Sequence, residues 1–225
     1  MNDNWLAYAP LLLKAAGTTL WLSWLAMLLG AVGGTAIATL RLSNIRLLRL
    51  VALVYTEFWR SVPILIVLFF AYFGLPLLLG FDISPFAAAT IALALHASST
   101  MAEVVRAGVG SVGRGQWEAA QAAGFGPVQV VRHIIAPQAI RVVLPPSIGV
   151  FITTLKESSL ASVIGYIELT KTGLLVREST GGGFAPLLAL AFLYFLLNYA
   201  ISMAGALLEH RFHIGRRADL VGAMT

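Results

Sequence analysis

Four groups of residues in this chain have the types and spacing for chemistry. His96 stands two and three residues before Ser98 and Ser99, a base and two hydroxyls within the run HASST. Glu103 and Arg106 are three apart, as are Glu57 and Arg60, and on a helix that spacing puts acid and base on one face. Lys156 and Glu157 are adjacent, and Glu168 ends the apolar piece that follows them. Cysteine is absent, which excludes thiolate chemistry, disulfides and cysteine metal sites. No glycine loop ending in lysine is present to hold a nucleotide phosphate, so the chain is not expected to hydrolyse ATP itself. One reading of these residues is an intramembrane serine–histidine enzyme. Residues two and three apart on a helix do not give base-to-nucleophile geometry, however, and a triad needs groups that converge in space. A second reading is an ion-coupled carrier or channel that uses Glu103 and Glu168. The bland alternative is that Ser98, Ser99 and Thr100 bond back to their own helix, and that Glu57–Arg60 is an interfacial salt bridge beside Trp59.

The elements that must position these groups are membrane spans. Of 225 residues, 59% are apolar and 11% charged, against roughly a quarter charged in soluble domains, and mean hydropathy is +0.86. Charge-free intervals at 15–40, 61–81, 83–102 and 179–208 each reach the roughly 20 residues that cross a hydrocarbon core. A fifth, 142–155, is only 14 residues long and spans only if extended. The span is therefore placed between Pro127 and about Leu155, with a bend near Pro145-Pro146. This predicts an all-α polytopic protein with five transmembrane helices: an outer segment 1–14 anchored by Trp5 and Tyr8, a transmembrane region 15–210, and a tail 211–225. Gly17, Gly30, Gly33 and Gly34 in the first span permit close helix contact.

Eleven of the fifteen basic residues fall in the 41–60 connection, the 106–141 connection and the tail. The positive-inside rule then puts the N-terminus outside and the C-terminus in the cytoplasm. The net charge of +5 is read as this bias rather than as a nucleic-acid surface, and the basic run RLSNIRLLR as a headgroup contact. An odd span count without internal duplication argues against a self-contained carrier, so a pathway forms most simply between two copies or with a similar chain. Ionisable groups inside spans point to a bundle interior or a water-filled path. The path candidates are His96, Ser98, Ser99, Glu103, Arg106, Lys156, Glu157 and Glu168. Residues 156–173 read as a broken element near the outer leaflet.

One cytoplasmic stretch, residues 115–137, is neither span nor tail. Small residues run up to Gly124, and Pro127 follows, the punctuation of helix, tight bend, helix. Its pattern is Glu118-Ala119-Ala120, then Gly124, Ile134 and Pro137. It resembles the signature loop of ABC-importer permeases. The flanks GTTLWLS (17–23), YTEFWRSVP (55–63), AEVVRAGVGSVGRGQWEAA (102–120), PQAIRVVLPP (137–146) and KESSLASVIG (156–165) narrow the resemblance to the polar amino-acid uptake branch. Two departures are Ala136, where leucine is usual, and Ser61-Val62, where Gly-Thr is common.

The resemblance implies a type I importer permease in a bacterial inner membrane. Its partners would be a second permease, identical or homologous, a cytosolic ABC ATPase dimer and an external solute-binding protein. ATP and Mg would sit on the ATPase, with no cofactor on this chain and no nucleic-acid partner. Gln116, Glu118, Ala119, Ala120, Gly124 and Pro137, within a loop of about 110–137, become the ATPase-coupling residues. Glu118 is expected in the first helical turn, where the positive helix end favours it.

Overall fold

The computed structural model describes residues 5–211, and every element among them is helical. After a single 3-10 turn come α1 (Ala9–Arg41), α2 (Arg46–Ser61) and α3 (Ile64–Leu79). Then follow α4 (Pro85–Gly110), the short α5 (Arg114–Ala122) and α6 (Pro127–Ile164). The last are α7 (Leu169–Ser179) and α8 (Ala185–Arg211). Helices α1, α4, α6 and α8 are long and apolar enough to cross a membrane. The fifth candidate is the bent pair α2 and α3, which meet at 101°. The tail expected at 211–225 lies outside the described residues beyond Arg211, and so does the side chain of Trp5.

The second span is shorter than the charge-free interval suggested. Pro63 forces Val62 into an extended conformation (ψ 127°), and the left-handed Gly80 (φ 75°) ends the helix. What remains is 16 residues, about 24 Å. Helix α2 therefore runs nearly across the direction of α3. It buries Ala52 and Thr56, while Leu47, Leu50, Val51, Val54 and Phe58 stay exposed. The last span is also trimmed, starting at Ala185 rather than 179, because Gly181 and Gly182 take positive φ.

The third and fourth spans grow instead. Ser84 accepts the Ala87 N–H (3.2 Å) and Pro85 opens α4, a capped start that the charge count could not reveal. Helix α6 is one continuous element that passes through Pro145-Pro146 and extends past Glu157 as a 3-10 stretch, Ser158–Ile164. Its irregular turn lies earlier, at the π-turn Val131–Ile135, where the Ala136 N–H reaches back to the Val131 carbonyl. A matching π-turn, Phe70–Gly74, is closed by the Leu75 N–H on the Phe70 carbonyl. In both places the next residue is proline, Pro137 or Pro76. A proline ring collides with the carbonyl four residues back and offers no N–H, and a wider turn accommodates both faults.

Packing is tightest between α1 and α4. A Cβ on Gly30 would lie 2.6 Å from Ala97 Cβ, and one on Gly34 2.7 Å from the Ser98 carbonyl oxygen. In lipid, helices gain little from burying leucine away from tails that are equally apolar, so close approach through small residues holds them together. The core follows that logic: Ala26, Ala88, Ala89 and Ala92 are fully buried beside Leu22, Val67 and Leu93. A second cluster joins the start of α1 (Leu12, Ala15, Ala16) to α7 (Leu169, Val176) and α8.

Candidate functional site

At the arginine-rich end of the bundle, Glu103 is shared by two arginines. Arg106 donates from Nε (2.9 Å) and Nη2 (2.7 Å) to one carboxylate oxygen, and Arg41 Nη1 lies 3.1 Å from the other. The same Arg41 nitrogen donates to Thr56 Oγ1 at 2.7 Å. One carboxylate thus ties the end of α1 and, through Arg41, α2 to α4. Glu57 and Arg60 form no ion pair among the described residues, and Arg60 adds its charge to the field at Glu103.

One and two turns further along α4, the hydroxyls behave as their helix dictates. Ser98 bonds to the Leu95 carbonyl, and Ser99 and Thr100 both to that of His96. Ser98 also meets the Tyr55 hydroxyl of α2 at 2.6 Å. Neither serine reaches the His96 ring, so the geometry of a serine nucleophile with its base is not assembled. The ring instead faces Glu157 at the end of the α-helical part of α6 (Nε2 to Oε1, 3.5 Å), and its buried Nδ1 has no partner among the described residues. Beside this pair lies a cavity of about 390 Å³ between α4 and α6, lined among others by His96, Thr100, Gly149, Thr153 and Thr154.

Lys156 and Glu168 lie apart from this cavity. Gly165 (φ 83°) closes the 3-10 stretch, with Tyr166 N–H bonding to the Ala161 carbonyl and Gly165 N–H to that of Ser162. The chain then turns so that Glu168, fully buried, caps α7 through the N–H groups of Thr170 (2.9 Å) and Lys171 (2.8 Å). Its carboxylate also accepts from the Tyr194 hydroxyl of α8 (2.9 Å) and the Thr19 hydroxyl of α1 (3.3 Å). The expected broken element is therefore present, with Glu168 as a knot among three helices.

The stretch 110–137 forms a separate feature at the arginine-rich end. Helix α5 ends in a Schellman motif: Gly124 at φ 81°, its N–H on the Gln121 carbonyl and the Phe125 N–H on that of Ala120. Ala120 is buried with Val112, Val130, Ile135 and Ala139, and Trp117 packs on that cluster. Gln116, Glu118, Ala119, Gly124 and Pro137 are exposed. Glu118 does not occupy the first turn. The helix begins at Arg114, after Gly113, so Glu118 sits in its second turn and the first carries no acid. The helix end therefore does little to hold Glu118.

A family model described as "Binding-protein-dependent transport system inner membrane component" matches residues 30–214. The chain belongs to this family. The permease is 37% identical over 201 residues to a "Probable amino-acid ABC transporter permease protein YckA" of Bacillus subtilis (strain 168), covering 89% of this chain and 87% of that one. It is 38% identical over 178 residues, 79% and 82% of the two chains, to a "Probable glutamine ABC transporter permease protein GlnM" of the same organism. A solved structure titled "Crystal structure of an amino acid ABC transporter with histidines" superimposes with a TM-score of 0.85 at 36% identity, covering 92% of this chain and 96% of that one. The permease is thus a multi-pass inner-membrane subunit of an ABC importer with the type I permease fold.

Within the permease, the candidate residues separate into three places. His96 and Glu157 meet at one cavity, Glu103 and Arg106 form the ionic cluster, and Glu168 is a buried knot. The partners Arg41, Thr56, Tyr55, Thr19 and Tyr194 were not among the candidates. Only Arg41 left a signal, as a basic residue ending the first span at the end where Glu103 lies. The others are hydroxyls whose partners are distant in sequence.

Proposed function

We propose that this permease forms half of the membrane pathway of an ATP-driven importer for a polar amino acid. It works with a second permease, a cytosolic ABC ATPase dimer that holds the ATP and Mg, and an external solute-binding protein. Its N-terminus lies outside and its C-terminus in the cytoplasm, as the arginine distribution favours. The substrate class is carried over from the amino acids named for its relatives.

The observation that carries this reading is one of connectivity. Helix α5 offers Gln116, Glu118 and Ala119 outward, and Ala120 and Trp117 anchor it on the start of α6. Its two ends run directly into α4 and α6, the walls of the His96–Glu157 cavity. A push on α5 by a closing ATPase therefore moves both walls, and rigid elements with tight caps pass that motion on rather than absorb it. The cavity is within the size range of small-ligand sites, about 300–1,000 Å³, and its wall offers the His96 imidazole and the threonines Thr100, Thr153 and Thr154 to a polar solute, with the Glu157 carboxylate behind the imidazole.

The test is reconstitution of the complete importer in proteoliposomes. Nothing lies within 4 Å of a Cβ built on Gly124, but its positive φ strains any side chain. Gly124→Asp is expected to leave assembly nearly intact while ATP hydrolysis proceeds without amino-acid uptake. Normal coupled uptake by that variant would sink the reading.

A further inference from the structure

Helix α2 divides its surface into three sectors, each about a third of a turn wide. On the first, Leu48, Ala52, Tyr55, Thr56 and Trp59 are buried or half-buried against the protein. Tyr55 meets Ser98 of α4 there, and Thr56 accepts a hydrogen bond from Arg41 of α1. On the second, Leu47, Leu50, Val51, Val54 and Phe58 form an exposed apolar row. The third is a strip of exposed charges, Arg46, Arg49, Glu57 and Arg60, which runs between the other two.

This pattern fits the surface layer of a bilayer. Helix α2 meets α3 at 101°, so with α3 crossing the membrane, α2 lies close to its plane at the arginine-rich end. A helix so placed sinks its apolar row among acyl chains and keeps its cations at the level of the headgroups. The charge on the strip is uneven. Glu57 lies eight residues beyond Arg49, about 12 Å along the axis, and among the described residues neither Arg46 nor Arg49 pairs with a carboxylate. Nor do these arginines serve the helix itself, because cations in a first turn oppose the helix dipole and no acid there offsets them. We propose that α2 is a binding surface for anionic phospholipid in the leaflet at the arginine-rich end. Arg46 and Arg49 hold the headgroup phosphate, and the row through Leu50 and Val54 lies along the acyl chains. A lipid held in this way fixes α2 in the leaflet, and Tyr55 and Thr56 pass that anchorage to α4 and α1.

The chain has no cysteine, so Val54→Cys gives the permease one thiol, on the apolar row, for a bimane fluorophore. The complete importer, with any cysteines of its partner subunits replaced, is placed in nanodiscs that mix phosphatidylglycerol and phosphatidylcholine. One or the other lipid carries brominated chains that quench bimane on contact. The relative affinity for phosphatidylglycerol over phosphatidylcholine is expected to be at least about five-fold, the preference one arginine confers near an anionic surface, and to fall as salt is raised. Arg46→Gln with Arg49→Gln brings the ratio close to one, whereas lysine at both positions keeps it. Both arginines are exposed, so these changes leave thermal unfolding in detergent unaltered. The proposal is overturned if neither brominated lipid quenches, as it would beneath a second permease, or if both quench alike. It is also overturned if the preference survives the double glutamine variant. The measurement needs neither ATP nor amino acid, so a failure of uptake would defeat the proposed transport function and leave this result standing.

Discussion

Helices α1 and α4 meet so closely that two glycines have no room for a methyl group, whereas α6 is held as closely by α4 at Gly108 and by α8 at Gly205 yet stands off at Gly149, beside the cavity. A Cβ on Gly149, in α6, would meet nothing within 4 Å, and this glycine lines the cavity between α4 and α6. The α1–α4 pair also carries the carboxylate of Glu103, shared by Arg41 and Arg106, while α6 meets α4 there through the single longer His96–Glu157 contact. The contrast is that of a frame and a working face. A transporter must keep one pair of helices fixed while others shift, and close packing resists sliding where loose, polar-lined packing permits it.

The same substitution at two sites breaks or sharpens that comparison. Gly34→Ala drives a methyl to 2.6 Å from Met101 Cβ and 2.7 Å from the Ser98 carbonyl, so the backbones must part. It is expected to cost about 3 kcal/mol, measured by thermal unfolding in detergent. A cost near zero would mean that α1 and α4 are not the frame. Next in size is Glu103→Gln, which leaves Arg41 and Arg106 without their shared anion. The group is only partly buried, so the loss is set at about 2 kcal/mol rather than the full penalty of a buried pair. The thermal shift should shrink in the background of Arg41→Met, because the two changes remove one interaction.

Glu168→Ala is expected to cost about 1–2 kcal/mol, by loss of the α7 cap and of the Tyr194 bond. The loss is read by thermal unfolding in detergent. The smallest effect is expected at Gly149→Ala, with the opposite sign to Gly34→Ala. A methyl in open space inside a helix stabilises by about 0.5–1 kcal/mol, and any effect on uptake would come from the cavity alone.

Much of the architecture was legible because a bilayer imposes its own arithmetic. Span count and the placement of the polar stretch follow from charge-free lengths, and the Glu118–Pro137 pattern needed no coordinates to be singled out. Interval lengths failed where backbone rules intervened. Pro63 and Gly80 shortened the second span, Gly181 and Gly182 delayed the last, and Gly113 rather than an acid set the start of α5. Spacing correctly paired Glu103 with Arg106, whereas Glu57 and Arg60, at the same spacing, do not pair with each other.

The amino-acid sequence by itself determined that the chain crosses a membrane, where its turns fall and which stretch is offered outward. Those properties depend on transfer cost and on conformations one or two residues wide, which are local quantities. Tertiary structure alone decided the partners: Arg41 with Glu103, His96 with Glu157, and Glu168 with Thr19 and Tyr194, which lie 149 and 26 residues away. Hydrogen bonds and ion pairs act over about 3 Å, and only the packing of helices through their glycines and alanines brings such distant groups within that reach.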